Sequence, residues 1–472
     1  MRKRILLAAA ATLLSGCVNL APPHERPALP TAPEYPEAFA NDVTLGKRAS
    51  EIAWRDFFAD PQLEALVARA LDRNRDLAIA VARIEEARGQ YRIQDAARLP
   101  TVGASADAAR SRSFSVLSVP PGPDTANRYS VGVGVTGFEL DFWGRVKNIS
   151  EAARSQYLAT GQAERAFRLS LIRDVASTYF AARGAEEQIV LAEATVKSRR
   201  EGLRIARLRL DAGVTSALDY RQSETLLTQA ETQLASLKLA KAQADNFLGV
   251  LVGGPVSADL PAPLLLVDQS RPPALTAGLP SDLLVARPDI LQAEEQLRAA
   301  RANVGAARAA FFPSISQTGK VGFASSSLDS LFGNDGLTWS FGPTISLPIF
   351  DFGRNKGNLT VAEARENIAV ASYEKTVQSA FREVADALAG RRYLAEQVEA
   401  QERGTLATRR IADLARKRYR EGVSTYLEVL DAERNLFAAE QALIELRRAQ
   451  VDNLVTLYVA LGGGLVEADE GK

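Results

Sequence analysis

The chain carries one long pattern twice, and both copies keep a single register. Around one glycine it reads Arg207-Leu208-Arg209-Leu210-Asp211-Ala212-Gly213-Val214, and around another Arg416-Lys417-Arg418-Tyr419-Arg420-Glu421-Gly422-Val423. Gly213 and Gly422 stand 209 residues apart. At that offset Leu218 meets Leu427 and Glu224 meets Glu433, and Leu227, Ala230, Leu234, Leu237 and Ala240 meet Leu436, Ala439, Leu443, Leu446 and Ala449. The copies close on Gly253-Gly254 and Gly462-Gly463. Such a period is too long for a solenoid repeat, so the chain must be built from two copies of one structural unit.

Proline sets the boundaries. None occurs between Pro123 and Pro255, and none after Pro348. Both tracts are rich in Ala, Leu, Glu, Arg and Gln, which favour helix. The first supports a helix from about Val146 to Asp211, on the order of 100 Å long. Gly213 ends it, and a second helix starts near Ser216 or Ala217. Its apolar stripe, Leu227, Ala230, Leu234, Leu237, Ala240, Ala244, Phe247 and Leu251, has the spacing of a narrow seam against a neighbouring helix. The second copy repeats this plan from about Arg354 through Gly422 to Gly462. Helices of this length need lateral partners along their whole extent.

A strand pattern precedes each long helix. Tyr129, Val131, Val133 and Val135 alternate with Ser130, Gly132, Gly134 and Thr136, and the parity flips at Gly137 before Phe138, Leu140 and Phe142, as at a bulge. Trp339, Phe341, Ile345, Leu347 and Ile349 alternate with Ser340, Gly342, Thr344, Ser346 and Pro348. Thr101 to Phe114 and Ser314 to Phe323 are the partner strands. In water this is half a β-sandwich; in an outer membrane it is a lipid face alternating with a lumen face. Four strands are too few to close a barrel, and open edges are not tolerated in lipid. The membrane reading therefore requires strands from several copies of the chain.

The N-terminus sets the compartment. Arg2, Lys3 and Arg4 precede a short apolar run, Ile5 to Leu14, and then Leu14-Ser15-Gly16-Cys17. The run is too short to span a bilayer and reads as a signal peptide. Leu-Ser-Gly-Cys resembles a bacterial lipoprotein signal, which implies cleavage before Cys17 and lipid on its thiol and amino group. Cys17 is the only cysteine, so no intrachain disulfide forms. Val18 in place of an aspartate leans toward the outer membrane. Pro22, Pro23, Pro27, Pro30, Pro33 and Pro36 then favour an extended tether that holds the fold off the membrane surface. Lys+Arg and Asp+Glu are both 57, so no basic field points to nucleic acid.

No catalytic constellation is present in the sequence. His24, the only histidine, falls in the proline-rich stretch, so no Ser-His-Asp or Cys-His set exists. Zinc spacing and a phosphate-cradling glycine loop are missing too. The expectation is a passive conduit with no cofactor other than the lipid on Cys17. The other acidic positions of interest flank the turns: Asp219 after Gly213, and Glu428 and Asp431 after Gly422. Glu428 and Asp431 are three apart and share a helical face. They either solubilise a helix end or, repeated about an axis, form a cation-attracting constriction.

Several segments resemble the outer-membrane efflux proteins of the TolC family, in the OprM/NodT-like lipoprotein branch. They are Leu284-Val285-Ala286-Arg287-Pro288-Asp289-Ile290, Ala310-Phe311-Phe312-Pro313, Arg418-Tyr419-Arg420-Glu421-Gly422, Leu427-Glu428-Val429-Leu430-Asp431-Ala432, and Asp351-Phe352-Gly353-Arg354 with its echo Asp141-Phe142-Trp143-Gly144-Arg145. The resemblance implies a mostly α fold with membrane β: a homotrimer pooling four strands per chain into a 12-stranded outer-membrane barrel above a 12-helix periplasmic tunnel. It implies an exit duct of a tripartite efflux system, with a periplasmic adaptor and an inner-membrane resistance-nodulation-division pump as partners. A duct for type I protein secretion and, further off, an adaptor lipoprotein are the alternatives. The resemblance also implies a periplasmic gate of Asp219, Tyr419, Glu428 and Asp431 at the turns of Gly213 and Gly422, with Tyr419 pairing Asp219. The expected organisation is a signal peptide (1–16), a lipidated tether (17–49) and a first repeat (50–254) with a strand pair at about 100–143 and a helical hairpin at 145–253. A linker (255–280), a second repeat (281–464) with strands at about 313–352 and a hairpin at 354–462, and a tail (465–472) complete it.

Overall fold

The computed structural model describes residues 18–32, 35, 47–115, 122–256, 259–269, 275–276, 282–333 and 335–466. The signal peptide and Cys17 lie outside the described residues. The principal elements are α1 (Pro61–Arg73), α2 (Arg75–Ala96), β1 (Val102–Ser115), β2 (Gly122–Leu140), α3 (Arg145–Asp211), α4 (Ala217–Leu251), α5 (Pro288–Ala309), β3 (Ser314–Ser325), β4 (Leu337–Ser346), α6 (Arg354–Arg420) and α7 (Tyr426–Ala460). The duplication is visible in their lengths: α3 and α6 have 67 residues each, and α4 and α7 have 35 each. Equal glycine and proline punctuation produces equal helices. Among the described residues no helix is long and apolar enough to cross a membrane.

The chain divides into two compact units. One gathers the described residues of 1–28, 83–161 and 292–373. It holds a four-stranded antiparallel sheet in the order β1-β2-β3-β4. The register slips between Val135 and Phe138, where Gly137 has φ 65°, so the parity flip is a bulge. On β4, Trp339, Phe341 and Ile345 are 77%, 63% and 68% exposed, so among the described residues nothing covers this apolar row.

Residues 18–26 of this unit, read from the sequence as part of an extended tether, are bonded to the unit's backbone and side chains. Val18 N–H donates to the Phe142 carbonyl at 3.1 Å. Asn148 donates to Asn19 Oδ1 at 2.9 Å, and Arg301 to the Glu25 carbonyl at 2.7 Å. Arg26 Nε meets both carboxylate oxygens of the buried Glu294 at 3.2 Å, and His24 Nε2 lies 3.1 Å from one of them. Arg301 donates to Nδ1 of His24 at 3.2 Å, which leaves the ring proton on Nε2, facing Glu294. Prolines do keep the segment extended, but its polar side chains find buried partners and fasten it as a strap.

The other unit gathers the described residues of 29–82, 162–291 and 374–472. Its core includes Phe57 stacked on Tyr458 at 3.9 Å and Tyr35 on Phe381 at 5.1 Å. Asp60, 1% exposed, caps α1 through the Gln62 N–H at 2.8 Å and accepts from Tyr179, Leu264 N–H and Gln269 at 2.6, 3.1 and 2.9 Å. The duplication recurs here as a pair of docked helix ends. Asn74 donates to the Leu251 carbonyl at the end of α4 at 2.9 Å. Arg287 donates to the corresponding Ala460 carbonyl at the end of α7 at 3.1 Å, while bonded to Asp289 and Glu383 at 2.6 and 2.8 Å. This gives the Arg287-Pro288-Asp289 segment its role: it satisfies a helix C-terminus that would otherwise end with orphan carbonyls.

Candidate functional site

The turns joining α3 to α4 and α6 to α7 are built alike. Gly213 has φ 72°, and Val214 N–H donates to the Arg209 carbonyl while Gly213 N–H donates to that of Leu210, both at 2.9 Å. Gly422 has φ 75°, with Val423 bonded to Arg418 at 2.9 Å and Gly422 to Tyr419 at 3.1 Å. Both are Schellman motifs, which require the left-handed residue that glycine supplies. Seams run up to the turns. Val196, Leu227 and Ala230 pack with Leu203 and Leu234 in one hairpin; Ala412, Ala415, Val429 and Ala432 pack with Tyr419, Tyr426 and Leu436 in the other. The expected stripe on α4 drifts: Leu248 is buried and Phe247 is 53% exposed.

The acidic residues at the two turns do different things. Asp219 closes a capping box with Ser216, its N–H reaching Ser216 Oγ at 3.2 Å and its Oδ2 receiving the Ser216 N–H at 3.4 Å. Thr215 Oγ1 donates to the same carboxylate at 2.6 Å, and this bond, ahead of the backbone ones, holds the Asp219 carboxyl below its ordinary range. Glu428 occupies the matching position after Thr425 but pairs with Arg418 at 3.4 Å, and Thr425 makes no side-chain cap. Ser424 Oγ, the counterpart of Thr215, is buried without a partner. Asp431 pairs with Arg434 at 3.0 Å.

Within the chain Tyr419 does not meet Asp219, the partner that the family resemblance implied for it. Its hydroxyl accepts from Arg209 of the other hairpin, and its ring lies 5.1 Å from that of Tyr426. Asp219 is occupied by its own helix start. Sequence reasoning also missed Arg209 and Arg418, although the 209-residue offset already marks them as counterparts. The turn region carries cations and carboxylates in close alternation. Among the described residues no group of three His, Cys, Asp or Glu side chains is placed to hold a metal ion.

The sequence model of the outer membrane efflux proteins matches residues 66–254 and 279–463. The chain belongs to the outer membrane efflux protein family. Its relatives in the family include the solvent efflux pump outer membrane protein SrpC of Pseudomonas putida, 43% identical over 457 residues, 96% of each chain. The cation efflux system protein CusC of Escherichia coli is 41% identical over 455 residues, 96% of this chain and 97% of the relative. Among solved structures, the open state of the Neisseria gonorrhoeae MtrE outer membrane channel superposes with a TM-score of 0.86 at 40% identity, covering 95% of this chain and 98% of that one. The fold of this efflux protein is thus that of the TolC-type channels: long duplicated helices joined to a small sheet.

Proposed function

We propose that this chain is the outer-membrane exit duct of a tripartite efflux system. Its relatives in SrpC and CusC carry solvent and cation efflux in their names, and small toxic compounds are the cargo class proposed here. The observation that carries the reading is the four-stranded sheet, whose outer strands β1 and β4 have no further strand partner among the described residues. Lipid does not accept open edges, so three copies pool twelve strands into one closed barrel. The four long helices per chain then give a twelve-helix tunnel, and the homotrimer is lipid-anchored through Cys17.

Without any nucleotide-binding motif, the duct is passive and enzymatically inert. Energy comes from an inner-membrane pump through a periplasmic adaptor. In the trimer the turns of Gly213 and Gly422 converge, and Asp219, Glu428 and Asp431 line the gate that Tyr419 helps to hold. Converging carboxylates favour cations and repel anions in a narrow opening.

The test is deletion of the gene, followed by growth on a panel of antimicrobials, solvents and metal salts. Increased susceptibility, restored by the intact gene, is the expected result. Unchanged susceptibility together with loss of a secreted protein would favour a secretion duct instead.

A further inference from the structure

The far ends of α4 and α7 match in backbone and differ in one side chain. At the end of α4, Gly254 N–H donates to the Gly249 carbonyl at 2.9 Å and Gly253 N–H to that of Val250 at 3.2 Å. At the end of α7, Gly463 donates to Tyr458 at 3.0 Å and Gly462 to Val459 at 2.9 Å. Gly249 and Tyr458 are therefore counterparts, at the same offset of 209. Tyr458 is fully buried: its ring stacks on Phe57 at 3.9 Å, and its hydroxyl donates to the Ile52 carbonyl at 2.6 Å. Gly463 passes close to that ring, and a Cβ there would strike it.

The first copy keeps the glycine and lacks the ring. A Cβ on Gly249 would meet only the Gly254 carbonyl, at 3.5 Å, and one on Gly254 only Nη2 of Arg69, at 3.9 Å. Gly254 is not left-handed, so its conformation does not call for glycine. Where the second copy has its tyrosine, a cavity of about 1020 Å³ opens beside Gly249. Its walls include Leu66, Leu248, Leu260 and Pro263. Apolar walls with a few charged groups, at this volume, are those of a small-molecule site.

The charges that line the cavity sort into two pairs and a remainder. Arg183 meets Glu186, and Lys241 meets Asp245 at 2.8 Å. Arg75, exposed at the first position of α2, has no ion pair among the described residues. A helix start repels a cation and favours an anion, so this end of α2 adds to the same preference. The last carbonyls of α4 are taken up by Asn74 and by the glycine turn. We propose that the cavity binds a small aromatic molecule carrying an anionic group. Its ring takes the place beside Gly249 that Tyr458 fills in the second copy, and its charge faces Arg75. The site lies at the end of α4 remote from the Gly213 turn, and it does not rest on the duct reading.

The test titrates the full chain in lipid nanodiscs with benzoate, benzyl alcohol and benzylamine, reading contact by saturation-transfer NMR against empty discs. Benzoate is expected to bind most tightly and benzylamine most weakly. Gly249→Tyr, which introduces the residue of the second copy, should abolish binding of all three. Arg75→Gln should remove the advantage of benzoate over benzyl alcohol, roughly two- to fivefold for an exposed charge contact, and leave benzyl alcohol unaffected. Binding of none of the three probes overturns the site, and so does equal binding to the unsubstituted and Gly249→Tyr proteins. Benzylamine binding ahead of benzoate overturns the assigned ligand class. Leu260→Trp narrows the same space from the linker side and is read in the same way should Gly249→Tyr fail to assemble.

Discussion

Arg209 of the first helical hairpin donates to the hydroxyl of Tyr419 in the second, with its guanidinium carbon 5.3 Å from the centre of the tyrosine ring. The duplication explains why this contact crosses between hairpins. Arg209 corresponds to Arg418 and Asp219 to Glu428. In the second copy the arginine and the acid pair with each other. In the first, the shorter aspartate fits the capping box, which leaves Arg209 to reach outward. Tyr419 receives it, where the first copy has Leu210.

This clasp is expected to hold the channel tip closed. An exposed cation–aromatic contact contributes about 0.5–1 kcal/mol, so Arg209→Ala and Tyr419→Leu, which puts the residue of the first copy in its place, should each raise the open population by roughly two- to fivefold. The double variant should add little to either single one, because both remove one contact. Adding Asp431→Ala to Tyr419→Leu should open the channel further, since Asp431 pairs separately with Arg434. Single-channel conductance in planar bilayers measures all of these.

Ser216→Ala and Thr425→Ala are counterparts with unequal expected effects. Losing the Ser216 cap costs about 1 kcal/mol of local helix stability. Thr425 makes no side-chain cap, so its replacement should change little. Amide exchange over the first turns of α4 and α7 compares them directly.

The strap should release in acid. Burial pushes the Glu294 carboxyl up, but the bonds from Arg26 and His24 outweigh it and hold the group below its usual 4.5. A carboxylate lowered on folding stabilises the folded state above its usual value and loses that contribution as pH falls through the lowered one. The protection of the amides of residues 18–26, corrected for intrinsic exchange, should therefore hold at neutral pH and fall only once the pH drops below the ordinary glutamate range. Glu294→Gln should make exchange fast already at neutral pH.

Gly462→Ala and Gly404→Ala should differ in sign. A Cβ at Gly462 would sit 2.6 Å from the Ala286 carbonyl at a φ of 81°, so the docked end of α7 must shift. The strained backbone alone costs about 1–2 kcal/mol. Gly404 lies inside α6 with open space around its Cβ position, and alanine there should stabilise by about 1 kcal/mol. Thermal unfolding of the two variants distinguishes them.

Long-range register made most of the architecture legible in the sequence. Glycines and prolines end elements locally, so the equal helices, the turns at Gly213 and Gly422 and the bulge at Gly137 follow from residue type alone. What escaped depends on competition between distant side chains. Proline spacing shows that the strap is extended but not that Arg26 finds Glu294, far along the chain. Nothing local says whether Asp219 will serve its helix or Tyr419. On α4 the packed face keeps the seven-residue spacing of Leu227, Leu234, Lys241 and Leu248, so Leu248 and not Phe247 turns inward, although lysine at 241 hides that spacing in the apolar pattern.

The mass of the assembly extracted in mild detergent, read by native mass spectrometry, bears most directly on a chain that supplies only part of a closed wall. Three copies per particle, persisting as intact protein in detergent, is the expected result. A stable particle containing one chain, with no larger assembly at any protein concentration, would contradict it.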